Sequence, residues 1–160
     1  KIYNKGIKLT TVKIIRGPHN VQDPRINSLS KLNCILACIE AKKKNYDEAL
    51  MFDIKGNIST NNSTHFFFIK KNIVYTSKGK YCVDGITRKQ IIKICKLNKI
   101  KIFEKDFSLS EVLKADEAFV TGTFANIIPV SKINLKIFNI KKTNLTFLIR
   151  NHYLNHINNL

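Results

Sequence analysis

Acidic residues are scarce in this chain. Eleven Asp and Glu stand against 28 Lys and Arg, giving a formal charge of +17 and a pI near 9.9. Such an excess raises the question of a polyanionic partner, nucleic acid or an anionic surface. The lysines, however, are spread over every predicted element, and Asn, Lys and Ile are used heavily throughout, as AT-rich coding would produce. No RNP-like aromatic motif, zinc-finger spacing or basic heptad region accompanies them. A nucleic-acid-binding module is therefore kept only as an alternative, and nucleic acid is not the expected partner.

Long apolar runs are also missing. None approaches the roughly 20 residues of a membrane helix, so no membrane partner is expected. The four cysteines, Cys34, Cys38, Cys82 and Cys95, form no C-x-x-C pair. They read as core thiols, which suits a reducing compartment such as the cytoplasm. His152 and His156 are four apart, a spacing that can grip a metal, but two further ligands are not in view and no metal is expected. The chain opens at Lys1-Ile2-Tyr3-Asn4 without an initiator Met or a signal-peptide pattern, and reads as part of a longer protein.

What is present suits one packed domain over residues 1–160. Hydrophobic residues make up 44% of the chain. Alternation predicts a strand over Lys8–Ile15, followed by a turn at Gly17-Pro18-His19-Asn20. Ser30 is placed to cap a helix to about Asn45, with Leu32, Ile35, Leu36, Ala37 and Ile39 on its buried face. Strands follow over Glu48–Asp53 and Ser63–Ile69, with a turn at Gly56-Asn57. Lys71-Asn72 turns into Ile73-Val74-Tyr75. Thr87 opens a helix to Leu97 that buries Ile91, Ile92 and Ile94. Ile100–Glu104 is a strand. Ser108 and Glu111 have capping-box spacing for a short helix to Lys114. Strands over Glu117–Thr121 and Ile127–Phe138, the latter breaking near Ser131-Lys132, precede a last helix over Asn144–Asn158.

Several motifs then add up. Asp23, Pro24, Ile26, Ser28, Leu29, Leu32, Leu36, Ala37, Glu40 and Ala41 fall in one ungapped pattern. Lys5-Gly6-Ile7-Lys8 and Asp47-Glu48-Ala49-Leu50 read as strand entries on either side of it. Further on stand Gly85-Ile86-Thr87-Arg88, then Ala115-Asp116-Glu117-Ala118-Phe119-Val120-Thr121-Gly122-Thr123, then Pro129-Val130. Together these resemble the C-terminal part of the fold-type IV pyridoxal-phosphate (PLP) enzymes. That family includes branched-chain and D-amino-acid aminotransferases and 4-amino-4-deoxychorismate lyase. The resemblance runs from about Lys5 to Phe138. It implies a mixed α/β fold, a mixed sheet or pseudo-barrel with packed helices. It also implies PLP as cofactor, an amino-acid or keto-acid ligand and a homodimer. The family's N-terminal domain, which supplies an arginine for the cofactor phosphate, has no counterpart in this sequence.

Carried over residue by residue, the resemblance separates two groups. Gly85, Ile86 and Thr87 fall where the family binds the cofactor phosphate at a helix start, and Thr123 where a second hydroxyl helps. Asn27 falls where the family keeps its Schiff-base lysine, and a carboxamide cannot take that role. Thr60 falls where a glutamate holds the pyridine nitrogen protonated, and His65 where the family has an asparagine. The resemblance thus implies a degenerate catalytic centre with a surviving phosphate cup. The alternative is an active aminotransferase or lyase that uses Lys31. Lys31 stands where many members carry a tyrosine, one helical turn or about 6 Å beyond Asn27.

Overall fold

A computed structural model describes residues 2–158. A short helix α1 (Ile2–Lys5) leads into strand β1 (Ile7–Thr11). A long loop then reaches α2 (Leu32–Lys43), followed by β2 (Glu48–Phe52) and β3 (Ile58–Asn61). The hairpin β4 (His65–Lys70) and β5 (Ile73–Thr76) precedes α3 (Ile86–Leu97), β6 (Ile102–Glu104) and α4 (Leu109–Leu113). The chain finishes with β7 (Glu117–Gly122), β8 (Asn126–Ile133), β9 (Lys136–Ile137) and α5 (Leu145–Asn158).

The strands join in one mixed sheet in the order β3-β2-β1-β8-β7-β4-β5-β6, with β9 paired to β8. β1 runs parallel to both β2 and β8, and β5 runs parallel to β6. The β1–β2 crossover is made by α2 and the β5–β6 crossover by α3, because parallel neighbours need a long connection. Both helices therefore start beyond the carboxyl ends of strands, where open α/β sheets gather their ligands.

The interior strand β4, between β7 and β5, explains the two cores. Its residues alternate between faces. Phe66 and Phe68 enter one cluster with Phe107, Val120 and Val130. Phe67 and Ile69 enter the other with Ile91, Ile94, Phe119 and Ile149, beneath α3 and α5. Strands buried on both faces need no polar alternation, which is why β4 reads as an unbroken aromatic run.

Local chemistry fixes the ends. Lys71 and Asn72 both have positive φ, 50° and 58°, the backbone that a tight hairpin requires. Ser108 and Glu111 form the expected capping box on α4. Glu117 accepts hydrogen bonds from the amides of Leu145 and Thr146, seating a carboxylate on the start of α5.

Four expectations are corrected. The first strand stops at Thr11, four residues before Ile15. The break in the penultimate strand lies at Asn134-Leu135, where Asn134 takes a positive φ of 50° and its side chain binds Thr10 and Thr11. Ser30 does not cap α2; Lys31 occupies that position and no side chain caps the helix. Most consequential, α2 buries Cys34, Ala37 and Ala41, while Leu32, Ile35, Leu36 and Ile39 are exposed. The helix is apolar nearly all round, so it carries two stripes, and the small side chains allow close packing over Val12, Ala49 and Met51. All four cysteines are free; Cys34, Cys82 and Cys95 are buried and Cys38 is half-buried. Burial pushes the Cys95 thiol up to about 12.

Candidate functional site

A cavity of about 1050 Å³ opens where the loop after β1, the β3–β4 turn, the segment before α3 and the β7–β8 turn converge. Asn27, Lys31, Thr60, Gly85, Ile86, Thr87 and Thr123 all line it. Residues up to 96 positions apart in sequence thus meet at one concavity.

One wall is the N-terminus of α3. Gly85 is its N-cap, in extended conformation, and no side chain caps the first turn, which holds no acidic residue. A helix start leaves backbone N–H groups without intrahelical partners and carries positive potential, so this wall suits an anion. Thr87 is buried beside it. The exposed Thr123 sits in the β7–β8 turn on the same cavity. The uncapped start of α2 borders it as well, with Lys31 at the edge.

Gly85 has an ordinary backbone, φ −69°, so its freedom is not what the fold uses. The lack of a side chain is used instead. A Cβ there would lie 2.3 Å from Cε1 of His65, so the imidazole fills the space beside the glycine. His65 Nε2 lies 2.7 Å from the Val83 carbonyl oxygen. A carbonyl can only accept, so Nε2 carries the proton and the neutral ring presents Nδ1 as an acceptor. Burial pushes His65 below its ordinary value; the cations Arg88 and Arg16 push the same way, against the Val83 bond and Asp84.

The β3–β4 turn is held by a buried carboxylate. Glu48 accepts from Asn61 Nδ2 at 2.9 Å, the Ser63 amide at 3.1 Å and Thr64 Oγ1 at 2.6 Å. It accepts from the Ser63 hydroxyl as well. Thr60 donates its hydroxyl hydrogen to the Thr64 carbonyl oxygen at 2.8 Å. What Thr60 leaves for the cavity is lone pairs and no charge.

The loop bearing Asn27 is braced at Asp23. Its carboxylate accepts from the Arg25 amide at 3.0 Å and from the guanidinium at 2.6 Å, and it meets His19 at 3.1 Å. The Arg25 hydrogen bonds hold this carboxyl far below the usual range. Gln22 ties Ser28 and Ser30 together at 3.1 and 2.7 Å. Asn27 itself is exposed.

Arg16 also lines the cavity, and the motif reading did not include it. It is buried and donates to Cys34 Sγ at 3.1 Å and to the Asn61 carbonyl at 2.9 Å, while its Nε has no partner among the described residues. The only hint in sequence is an arginine inside the apolar stretch that ends at Gly17-Pro18. Arg88, the last residue of the Gly-Ile-Thr-Arg signature, turns away from Thr87. It donates to the Ser77 carbonyl at 2.5 Å and pairs with Glu104 at 2.7 Å, tying the 77–85 loop to α3.

Residues 1–133 match the family described as Amino-transferase class IV. The branched-chain-amino-acid aminotransferase-like protein 2 of Arabidopsis thaliana is 39% identical over 129 residues, 81% of this chain and 23% of that protein. The putative branched-chain-amino-acid aminotransferase of Methanocaldococcus jannaschii is 36% identical over 138 residues, 86% of this chain and 48% of that protein. Among solved structures, the branched-chain aminotransferase of the thermophilic archaeon Thermoproteus uzoniensis, with norvaline, superposes with a TM-score of 0.89 at 26% identity. That alignment covers 96% of this chain and 52% of the other. The holo, PLP-form enzyme of Thermobaculum terrenum also gives 0.89 at 26% identity, covering 95% and 51%. The chain therefore spans half or less of the curated relatives' length and about half of the solved chains, and PLP is the cofactor of the enzymes it resembles in fold. On the extent of these matches, the chain belongs to the class IV aminotransferase family.

Proposed function

We propose that this chain is the cofactor-anchoring part of a degenerate class IV aminotransferase, one that keeps the phosphate cup and lacks the family's catalytic amine. The observation that carries the reading is the shared cavity: the uncapped start of α3, Thr87, Thr123, Thr60 and Asn27 all border it. The donor set suits a phosphate at one end. Backbone amides at Ile86 and Thr87 bind it, and the Thr87 and Thr123 hydroxyls orient it. At the other end the chemistry does not fit. Asn27 offers a carboxamide, which does not condense with an aldehyde, and Thr60 offers no negative charge. PLP, where bound, supplies an electron sink for carbanions, and that sink weakens when nothing keeps the ring nitrogen protonated.

A second reading has its own observation. Lys31 lines the same cavity and is exposed at the start of α2. In that reading Lys31 is the nucleophile and proton carrier, and the ligand is an amino or keto acid as in the branched-chain enzymes. The two readings separate in one experiment on the full-length protein. PLP, pyridoxal without phosphate, and inorganic phosphate are titrated calorimetrically, and transamination of branched-chain amino acids is assayed alongside. The first reading expects phosphate-dependent binding that weakens in Thr87→Val, with no turnover. Turnover, or equal binding of pyridoxal, contradicts it.

The exposed stripe of Leu32, Ile35, Leu36 and Ile39 supports a homodimer, since a large apolar surface is costly to leave in water. No helix among the described residues is long and apolar enough to cross a membrane.

A further inference from the structure

The flank of α3 borders a second cavity of about 750 Å³, and the function proposed above makes no use of it. Its lining carries seven cationic side chains against two carboxylates, Asp84 and Glu104. α3 contributes the stripe Lys89, Lys93 and Lys96, which spans about 10 Å along the helix axis. The 77–85 loop adds Lys78 and Lys80, and Arg25 enters from the loop after β1. Ile92 and Leu97 give the cavity an apolar portion, and Leu97 is 68% exposed.

Four of the seven cations are already paired: Arg25 with Asp23, Lys78 with Asp106, Arg88 with Glu104 and Lys89 with Asp84. Among the described residues, Lys80, Lys93 and Lys96 have no carboxylate partner. Lys80 lies 5.8 Å over the Tyr81 ring. No acidic residue occurs anywhere in α3, so its four cations receive no support from an i,i+4 carboxylate. Like charges gathered round a concave wall repel one another more than on an open face, because low-dielectric walls focus the field. An anion in that field relieves the repulsion.

We propose that this cavity binds a small molecule carrying a chain of phosphate groups, such as a nucleoside triphosphate or an inorganic polyphosphate. Lys93 and Lys96 stand about one helical turn apart and Lys80 adds a third charge from the 77–85 loop, which suits several linked charges better than a single one. The cavity's volume and apolar wall suit a small ligand. No aromatic side chain lines it, as a groove that stacks nucleotide bases would require.

The test is calorimetric titration of the full-length protein at low ionic strength with tripolyphosphate, ATP and orthophosphate. Tripolyphosphate and ATP are expected to bind at least about tenfold more tightly than orthophosphate. ATP binding more tightly than tripolyphosphate identifies a nucleotide, with the apolar wall holding the base; equal affinities identify the phosphate chain alone. The variant Lys80→Glu/Lys93→Glu/Lys96→Glu changes only exposed residues and should weaken both by at least about tenfold. The milder Lys93→Gln/Lys96→Gln should lose less, while Thr87→Val should leave this binding intact. Wild-type affinity in both lysine variants overturns the proposal. So does failure of both ligands to bind at low salt, or tighter binding of duplex DNA than of tripolyphosphate.

Discussion

The imidazole of His65 lies against Gly85 so closely that a Cβ on Gly85 would sit 2.3 Å from Cε1. The contact links the first residue of β4 to the N-cap of α3, and so sets the helix start proposed to hold phosphate against the sheet. Gly85→Ala should destabilise the protein by about 1–3 kcal/mol, the usual cost of overpacking. His65→Ala in the same chain should recover a large part of that loss. Denaturant unfolding of the two single variants and the double variant measures the coupling. Additive losses would show that the contact does not constrain the fold.

His65 also sets a pH dependence. Its value in the folded protein lies below the ordinary 6.5, burial being the largest cause. As pH falls, the unfolded chain therefore takes up the proton first. Stability from this group is complete above 6.5, and it declines as pH falls through 6.5 toward the folded-state value. Between about pH 7.5 and 5.5, the stability of the native sequence should fall more steeply than that of His65→Asn. Equal slopes would contradict the assignment.

Glu48 is the buried acceptor for four donors of the β3–β4 turn, so its loss should be felt in both stability and site. Glu48→Ala leaves buried donors unpaired and should cost at least about 2 kcal/mol. Glu48→Gln keeps the shape but loses charge-assisted bonds and should cost less. Chemical denaturation of both variants provides the comparison, and a loss smaller for Ala than for Gln would refute the role.

The exposed stripe on α2 predicts self-association. The full-length protein is expected to sediment as a dimer and Leu32→Glu/Leu36→Glu as a monomer, with little change in secondary structure, because both side chains are already exposed. A monomeric native protein, or an unaltered dimer in the variant, rules this face out.

Much of this was legible in the sequence, and what was not has physical reasons. The aromatic run of β4, the Lys71-Asn72 hairpin and the Ser108–Glu111 capping box are local signals that read directly. The cavity was legible only through motif resemblance, because its residues come from segments far apart along the chain. On α2, pattern alone favours the larger Leu32, Ile35, Leu36 and Ile39 over Cys34 and Ala41, yet it is these two small residues that are buried beside Ala37. The His65–Gly85 contact joins residues 20 positions apart in sequence, and no local rule reports it. Arg16 gave no periodic signal; its burial follows from bonds to Cys34 and Asn61 that only the packed fold creates.

The central claim is that position 27 no longer holds a cofactor covalently while the cup still binds its phosphate. The most direct measurement is borohydride reduction of the full-length protein with PLP, followed by peptide mapping, for the native sequence and for Asn27→Lys. No stable pyridoxyl adduct is expected within the Asn27–Lys31 segment of the native protein. An adduct is expected at position 27 in the variant, because the surviving cup would present the aldehyde to a restored amine. A pyridoxyl adduct on Lys31 of the native protein would contradict the claim and establish the active alternative.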